Sequence, residues 1–419
     1  MQNAVGVFST YNLRDVEAIK DLLFSEVFHM NRRIFLMAGS GVALAQSPAE
    51  TLHLGLIGAG GRGRRVMTHF ADNPRVKTKA VCDIYEPNLE KGLSDAGAGT
   101  KAYRNYKKLL DDPEIDVVLI ATPEHQHHRM LLDALAAGKD VYLEKPLCHT
   151  PEEGVDMIRA EQESGKIVQV GMQRRSYGLY QEARDLRRAG KLGTVRMVRT
   201  YWLNNRLKPR ASKFTGPIDW EQWLGPAPKV AKDPLRFFDW RNWSDYAGGI
   251  VIDQGAHIYD SIHMIMDAGY PSAVNASACS GHRTNGDLPE SWIVTAEYPE
   301  DFMAVFTINY SAMQYAMRAD QLNSYDGDEA RMDIGREMLK VFPKSSPDEP
   351  IIDKDQHGGF RQATIDHVNN FIESVVSRKT PVAPVETGFQ SALVLQMANI
   401  SVQRGRRVRW NQQTKKVET

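Results

Sequence analysis

Residues 52–63 read Leu-His-Leu-Gly-Leu-Ile-Gly-Ala-Gly-Gly-Arg-Gly. An apolar run, Leu52–Ile57, meets Gly58, Gly60 and Gly63 in the spacing G-x-G-x-x-G, and Arg64–Ala71 then carries a helical pattern. Strand, glycine turn and helix in that order predict a dinucleotide-binding turn. Gly58 permits the tight turn. Gly60, with Gly61 and Arg62 beside it, lets the backbone approach a pyrophosphate, and Gly63 lets helix and strand pack closely. The phosphates then meet free N–H groups and the positive dipole end of the helix. Val76–Asp83 reads as a second strand, closed by Asp83 20 residues after Gly63. A carboxylate there accepts hydrogen bonds from both ribose hydroxyls and repels a 2′-phosphate. The cofactor expected is therefore NAD, with NADP less favoured although Arg62 and Arg64 leave room for it.

Outward from this turn the alternation continues. Asp116–Ala121 is a third strand, Thr122-Pro123 opens a helix ending near Gly138, and Asp140–Leu143 is a fourth strand. Pro151–Ser164 reads as a helix and Ile167–Val170 as a strand. Strands alternating with helices predict a doubly wound parallel sheet. The pattern changes near residue 172. Tyr180–Ala189 is helical, Val195–Leu203 alternates as a strand, and 204–249 is loop-like and rich in Pro, Gly and Trp. Ser291–Tyr298 and Met303–Tyr310 alternate as in a half-exposed sheet, and 362–377 and 388–403 read as helices. The expected fold is α/β: a Rossmann domain over 51–172, then an α+β domain over 173–419. The second carries a large, mostly antiparallel open sheet, one face of which serves ligand or subunit contact.

The composition is that of an ordinary globular chain, with 42% apolar and 25% charged residues among 419. Lys+Arg and Asp+Glu each total 52, so no basic footprint points to nucleic acid. Three cysteines are too few and too scattered for a disulfide framework or a zinc ribbon. No run approaches the ~20 apolar residues of a membrane span. Residues 30–46, MNRRIFLMAGSGVALAQ, pair Arg32 with Arg33 ahead of a short apolar stretch and an Ala43-Leu44-Ala45 cleavage pattern. This resembles a twin-arginine export signal. Residues 1–50 are then a leader outside the fold, Met30 is an alternative start to Met1, and the protein is expected to be exported or periplasmic. Without such a leader it would be cytoplasmic.

Glu144-Lys145-Pro146 follows the fourth strand, where a doubly wound sheet opens its ligand crevice. With it stand Thr122-Pro123, His127, the pair Trp240-Arg241, and a segment Gly248-Gly249-x-x-x-Asp253-x-Gly255-x-His257. Together these motifs resemble the glucose–fructose oxidoreductase / inositol dehydrogenase family, written Gfo/Idh/MocA, over about residues 52–410. The resemblance implies that Thr122, Pro123, His127 and Glu144 line the cofactor and that Lys145 contacts its ribose and the reacting hydroxyl. It implies that Asp253 and His257 sit at the substrate, His257 as acid/base, with Gln173 at the cofactor and Arg174, Trp240 and Arg241 at the substrate. Leu147-Cys148-His149 departs from the family's commoner small apolar residues.

The residue chemistry agrees. Oxidising a secondary alcohol needs a base for the hydroxyl proton, and histidine titrates near neutral pH. Asp253 and His257 are four apart and share a helix face. A metal is not expected: of Glu124, His125, His127 and His128, only Glu124 and His128 stand four apart on one helix face. Of Trp202, Trp220, Trp223, Trp240 and Trp243, most are expected in a small core, with one or two at the pocket.

Three functions remain open. One is an NAD-dependent oxidoreductase on a sugar, cyclitol or glycoside, with a tightly held, recycled cofactor. Another is glycoside cleavage through a transient 3-keto sugar. The third, a non-catalytic NAD- or sugar-binding regulator, is disfavoured by Lys145, Asp253 and His257. The expected partner is a small carbohydrate, and the expected assembly a homodimer or homotetramer through the C-terminal sheet.

Overall fold

Strand β1 (Leu52–Ile57) buries nearly every side chain, because helices cover both faces of its sheet. The computed structural model describes residues 51–205, 213–279, 286–316 and 319–419, and the export-signal reading of 1–50 lies outside them. After β1 come α1 (Gly61–Ala71), β2 (Val76–Cys82), α2 (Glu86–Ala96), β3 (Lys101–Tyr103), α3 (Tyr106–Leu110), β4 (Val117–Ile120), α4 (Glu124–Ala136), β5 (Asp140–Leu143), α5 (Pro151–Ser164) and β6 (Val168–Val170). The six strands run parallel in the order β3-β2-β1-β4-β5-β6. The winding reverses between β1 and β4, and such a switch point opens a ligand crevice beyond the strands' carboxyl ends.

Two glycines of the turn are sterically required. Gly58 has φ +93°, and a side chain there would meet the Ala121 carbonyl oxygen at 2.8 Å. A Cβ on Gly63 would fall 2.1 Å from the Gly58 carbonyl oxygen. Helix α5 starts on a reciprocal cap, in which the Thr150 hydroxyl accepts from the Glu153 N–H and the Glu153 carboxylate accepts from the Thr150 N–H.

Downstream run α6 (Gly178–Arg188), β7 (Val195–Leu203), α7 (Trp220–Leu224), α8 (Pro234–Phe238), α9 (Ile250–Met266), β8 (Ala273–Cys279), β9 (Ser291–Tyr298), β10 (Phe302–Asn309), β11 (Gln321–Gly327), β12 (Ala330–Ile334), β13 (Met338–Pro343), β14 (Ile352–Asp355), α10 (Gly359–Ser377), α11 (Val385–Arg404), β15 (Val408–Asn411) and β16 (Lys416–Glu418). Ten strands form one sheet in the order β14-β13-β12-β11-β7-β10-β9-β8-β15-β16. Only the β7–β10 pair is parallel among its recorded registers. The fold is thus a parallel Rossmann sheet followed by a mostly antiparallel one. Helix α9 is buried along its whole length except at Gln254. A polar side chain on such a helix must find a partner or serve a ligand.

The stretch read as loop, 204–249, holds α7, α8 and a small aromatic core of Trp223, Leu224 and Tyr246 with Trp220 and Trp243 against it. Trp202, Trp223 and Trp240 line the cleft, one more than expected.

Candidate active site

A cleft of about 1650 Å³ opens at the switch point. At one end it is walled by Gly58, Gly60, Gly61, Arg62, Thr122 and Pro123. A side chain added at Gly60 would meet nothing within 4 Å, which leaves the open approach that a pyrophosphate needs. Gly63 lies behind the turn, in the helix–strand packing. Asp83 also lines the cleft. Its Oδ2 accepts the Ala59 N–H at 2.8 Å and its Oδ1 the Tyr85 N–H at 2.9 Å, which fixes the carboxylate between the glycine turn and α2. Burial pushes its pKa up to about 6, against the opposing pull of those amides. This donor set fits a nicotinamide dinucleotide.

Both arginines that left room for NADP are committed elsewhere. Arg62 Nε donates to Glu144 Oε1 at 2.8 Å, and Arg64 donates to Asp95 at 2.7 Å. Glu144 and Gln173 line the cleft. His127 does not. It is buried, with Nδ1 2.8 Å from the Pro146 carbonyl and Nε2 3.0 Å from the Thr122 carbonyl. Its ring thereby braces the Thr122 carbonyl, at the cleft wall, against the Pro146 carbonyl that follows Lys145. His125 and His128 turn to separate partners, the Trp223 carbonyl and Asp156.

At the other end, Lys145 extends from the end of β5. Its Nζ donates to the Asp253 carbonyl at 2.7 Å and to Asp253 Oδ1 at 2.9 Å. Arg241 Nε approaches the same Oδ1 at 3.2 Å, and Gln254 donates to Oδ2. Burial alone would raise the Asp253 pKa, but Arg241 and Lys145 outweigh it and hold the carboxyl well below the usual range. His257 sits one turn further along α9. Along this helix Asp260 meets Arg175, Ser261 the Ile258 carbonyl, and His263 the Tyr298 hydroxyl, while the Tyr259 hydroxyl is buried without a partner among the described residues and away from the cleft lining. His257 Nδ1 is buried with none among the described residues. Burial, with Lys145 and Arg174 nearby, lowers its pKa well below the ordinary value and keeps the ring neutral. Arg174, Trp240 and Arg241 line this end, Arg241 over the Trp240 ring at 4.1 Å.

One residue of this region, weighed in the sequence only as a metal ligand, has another role here. Glu124 is fully buried, and its Oε2 accepts the Gly248 N–H at 3.1 Å, tying α4 to the start of α9. Burial and the Asp253 charge push its pKa up to about 8. It stands between Thr122-Pro123 and His127, so the motif itself was the available signal. A raised carboxyl pKa stabilises the fold fully below the unfolded value and loses that contribution as pH rises through about 8. Glu124→Gln lacks this titration. Its Tm relative to the natural protein should therefore climb from about pH 5 to about pH 9, by roughly 1–2 °C per kcal/mol of linkage for a chain of this size. A Tm difference that stays flat across that range contradicts a neutral Glu124.

A strap spanning 213–246 crosses the Rossmann loops at the cleft. Asp219 N–H donates to the Ile84 carbonyl and Glu86 N–H to the Pro217 carbonyl, both at 3.0 Å. The Tyr85 hydroxyl meets Thr215 Oγ1 at 2.8 Å, and Gln126 Nε2 donates to the Trp223 carbonyl at 2.7 Å. The loop after β2 and the first turn of α4 are thereby stitched to one segment.

Residues 52–172 match the oxidoreductase family with an NAD-binding Rossmann fold, and 180–323 match the GFO/IDH/MocA C-terminal domain, together more than half of the chain. Inositol 2-dehydrogenase of Salmonella typhimurium is 33% identical over 150 residues, covering 35% of this chain and 45% of that protein. Glycosyl hydrolase family 109 protein 2 of a Shewanella species is 33% identical over 130 residues, covering 29% and 28%. The matched stretch is thus less than half the length of these relatives. Levoglucosan dehydrogenase, solved with NADH and levoglucosan, superposes with a TM-score of 0.69 at 20% identity, covering 85% of this chain and 99% of that one. That likeness shows the fold. With an NAD-binding Rossmann domain followed by the family's C-terminal domain, the chain belongs to the Gfo/Idh/MocA oxidoreductase family.

Proposed function

We propose that this protein is an NAD-dependent oxidoreductase acting on a secondary hydroxyl of a sugar, cyclitol or glycoside, with its cofactor retained in the site. The observation that carries the reading is one cleft in which the Lys145–Asp253 pair and the unpartnered His257 share space with the glycine turn and Asp83. NAD, when bound, supplies hydride acceptance and return. Gly58 and Gly60 present backbone to its phosphates, and Asp83 accepts from its ribose hydroxyls. Lys145 donates a hydrogen bond to the reacting oxygen and favours developing negative charge there. His257, held neutral, accepts the hydroxyl proton. Asp253 fixes the Lys145 ammonium in direction and keeps Arg241 alongside. His127 holds Thr122 and Pro146, and so the walls on either side.

The strap supports cofactor retention, since exchange through this side requires its bonds to part. A retained cofactor suits a protein exported already folded, as residues 30–46 suggest. It equally suits redox-neutral cleavage of a glycoside through a 3-keto intermediate, and one similar protein carries a glycosyl hydrolase name. Exposed Ile293 and Met303 on β9 and β10 support association of copies through the large sheet.

Asp83 sets the cofactor choice. Titrating NAD and NADP into cofactor-free protein should show NAD binding tighter by about tenfold or more, as expected for a carboxylate facing a phosphate rather than hydroxyls. Asp83→Ala should weaken NAD and bring the two together. Equal or tighter NADP binding by the unaltered protein would refute this assignment. The reading as a whole is tested by adding neutral and acidic sugars, cyclitols and aryl glycosides to NAD-loaded protein and following nicotinamide reduction and aglycone release. Neither signal on any of them defeats it.

A further inference from the structure

The substrate end of the cleft carries more positive charge than its carboxylates balance. Lys145 and Arg241 share the single carboxylate of Asp253. Arg336, which also lines the cleft, is matched by both oxygens of Asp320 at 2.7 and 2.9 Å. Arg174 has no such match. It is 2% exposed, its NH1 donates to the Tyr180 hydroxyl at 3.1 Å, and its NH2 donates to Gln321 Oε1 at 2.5 Å. Both acceptors are neutral, and its Nε is buried with no partner among the described residues. Asp260 is near enough to act on Arg174 electrostatically, but its hydrogen bond goes to Arg175 at 2.6 Å.

A buried guanidinium without a bonded counter-ion bears a large desolvation cost. Three rings surround it, Tyr180, Trp202 and Phe360, with centroids at 5.3, 5.6 and 5.5 Å. They offset part of that cost, yet an uncharged side chain would fill the same space with none. Arg336 lies over the same Trp202 and Phe360 rings, at 4.9 and 5.8 Å. Two arginines thus converge on two aromatic faces that both line the cleft. A neutral polyol supplies no charge to such a place. A carboxylate does, and its two oxygens fit the planar fork of a guanidinium.

We infer that the substrate carries a carboxylate: the site takes an acidic sugar, such as a hexuronic acid or its glycoside, with the anionic group toward Arg174 and Arg336 and the reacting hydroxyl toward Lys145 and His257. This rests on the reading of the cleft as an oxidoreductase site for a carbohydrate. Arg174 is then the residue that sets specificity, and Trp202 and Phe360 face the apolar side of the ring.

The test is calorimetric binding of D-glucuronate, D-galacturonate and D-mannuronate, each against its own uncharged amide, to NAD-loaded protein. At least one acid should bind about tenfold or more tighter than its amide, as a charge-assisted pair implies, and added salt should narrow the gap. Arg174→Gln should bring the acid-to-amide ratio to about one. If that variant fails to fold, the ratio and salt response of the natural protein still decide the matter. Acid and amide binding equally, or no acid binding at all, overturns the inference. Neutral sugars oxidised without preference for acids leave the oxidoreductase reading standing and remove this one. Acids that bind preferentially yet neither reduce the cofactor nor release an aglycone keep Arg174 as the anion site but remove the oxidoreductase reading, and with it the acid as substrate.

Discussion

Lys145→Ala is expected to lower turnover by roughly 10²–10⁴-fold while the protein still folds and holds NAD, and His257→Ala to do the same. Lys145 reaches the site through two bonds to Asp253 and packs no core of its own, so its loss removes a charge and a donor at the reacting oxygen. Asp253 keeps Arg241 as a partner in the variant. His257 is buried on α9, but its Nδ1 makes no hydrogen bond within the described structure, so truncation breaks no polar network. The effect should therefore fall on the barrier and not on stability. Single-turnover reduction of bound NAD, with circular dichroism and cofactor content as controls, separates the two. Near-natural rates in His257→Ala on a confirmed substrate would remove the histidine from its proposed role.

Gly63→Ala should abolish tight NAD binding. Its new methyl would sit 2.1 Å from the Gly58 carbonyl oxygen, a backbone atom that cannot swing aside as a side chain could. Either α1 separates from β1 or the turn rearranges, and each displaces the N–H groups meant for the phosphates. Overpacking of this kind costs about 1–3 kcal/mol or more in stability, and the binding loss adds to it. Gly60→Ala is the control, since a Cβ there meets nothing in the cofactor-free protein and would crowd only the ligand. Thermal melting should thus show a clear drop for Gly63→Ala and almost none for Gly60→Ala. A Gly63→Ala protein that melts as the natural one does and still binds NAD contradicts this packing.

The parallel sheet was legible because its strands are continuous apolar runs punctuated by glycine and proline. Leu52–Ile57, Asp140–Leu143 and Pro151–Ser164 have the bounds read from sequence. The segment from Glu86 to Leu110 was not read, since β3 is three mostly exposed residues and α2 buries only Leu89 and Gly92. Local pattern carries little signal where so little is buried. Helix α9 has no polar face because it is covered nearly all round, so only the four-residue spacing of Asp253 and His257 betrayed it. The motif residues Lys145, Asp253 and His257 do meet in one cleft. His127, placed at the cofactor by its motif, also braces two backbone carbonyls, and Glu124, three residues before it, was weighed only as a metal ligand. Arg336 and Phe360 reach the cleft from elements with no motif, and only tertiary structure brings them beside Arg174.

The central claim is that this cleft oxidises and reduces a carbohydrate with a nicotinamide that stays in place. The direct measurement is the cofactor content of protein purified without added nucleotide, followed by addition of the sugar and glycoside panel with no NAD supplied. NAD is expected to co-purify at close to one per chain. An accepted substrate is expected to produce enzyme-bound NADH or to turn over with no nucleotide in solution. Protein that emerges empty and releases one NADH into solution for every substrate oxidised would contradict it.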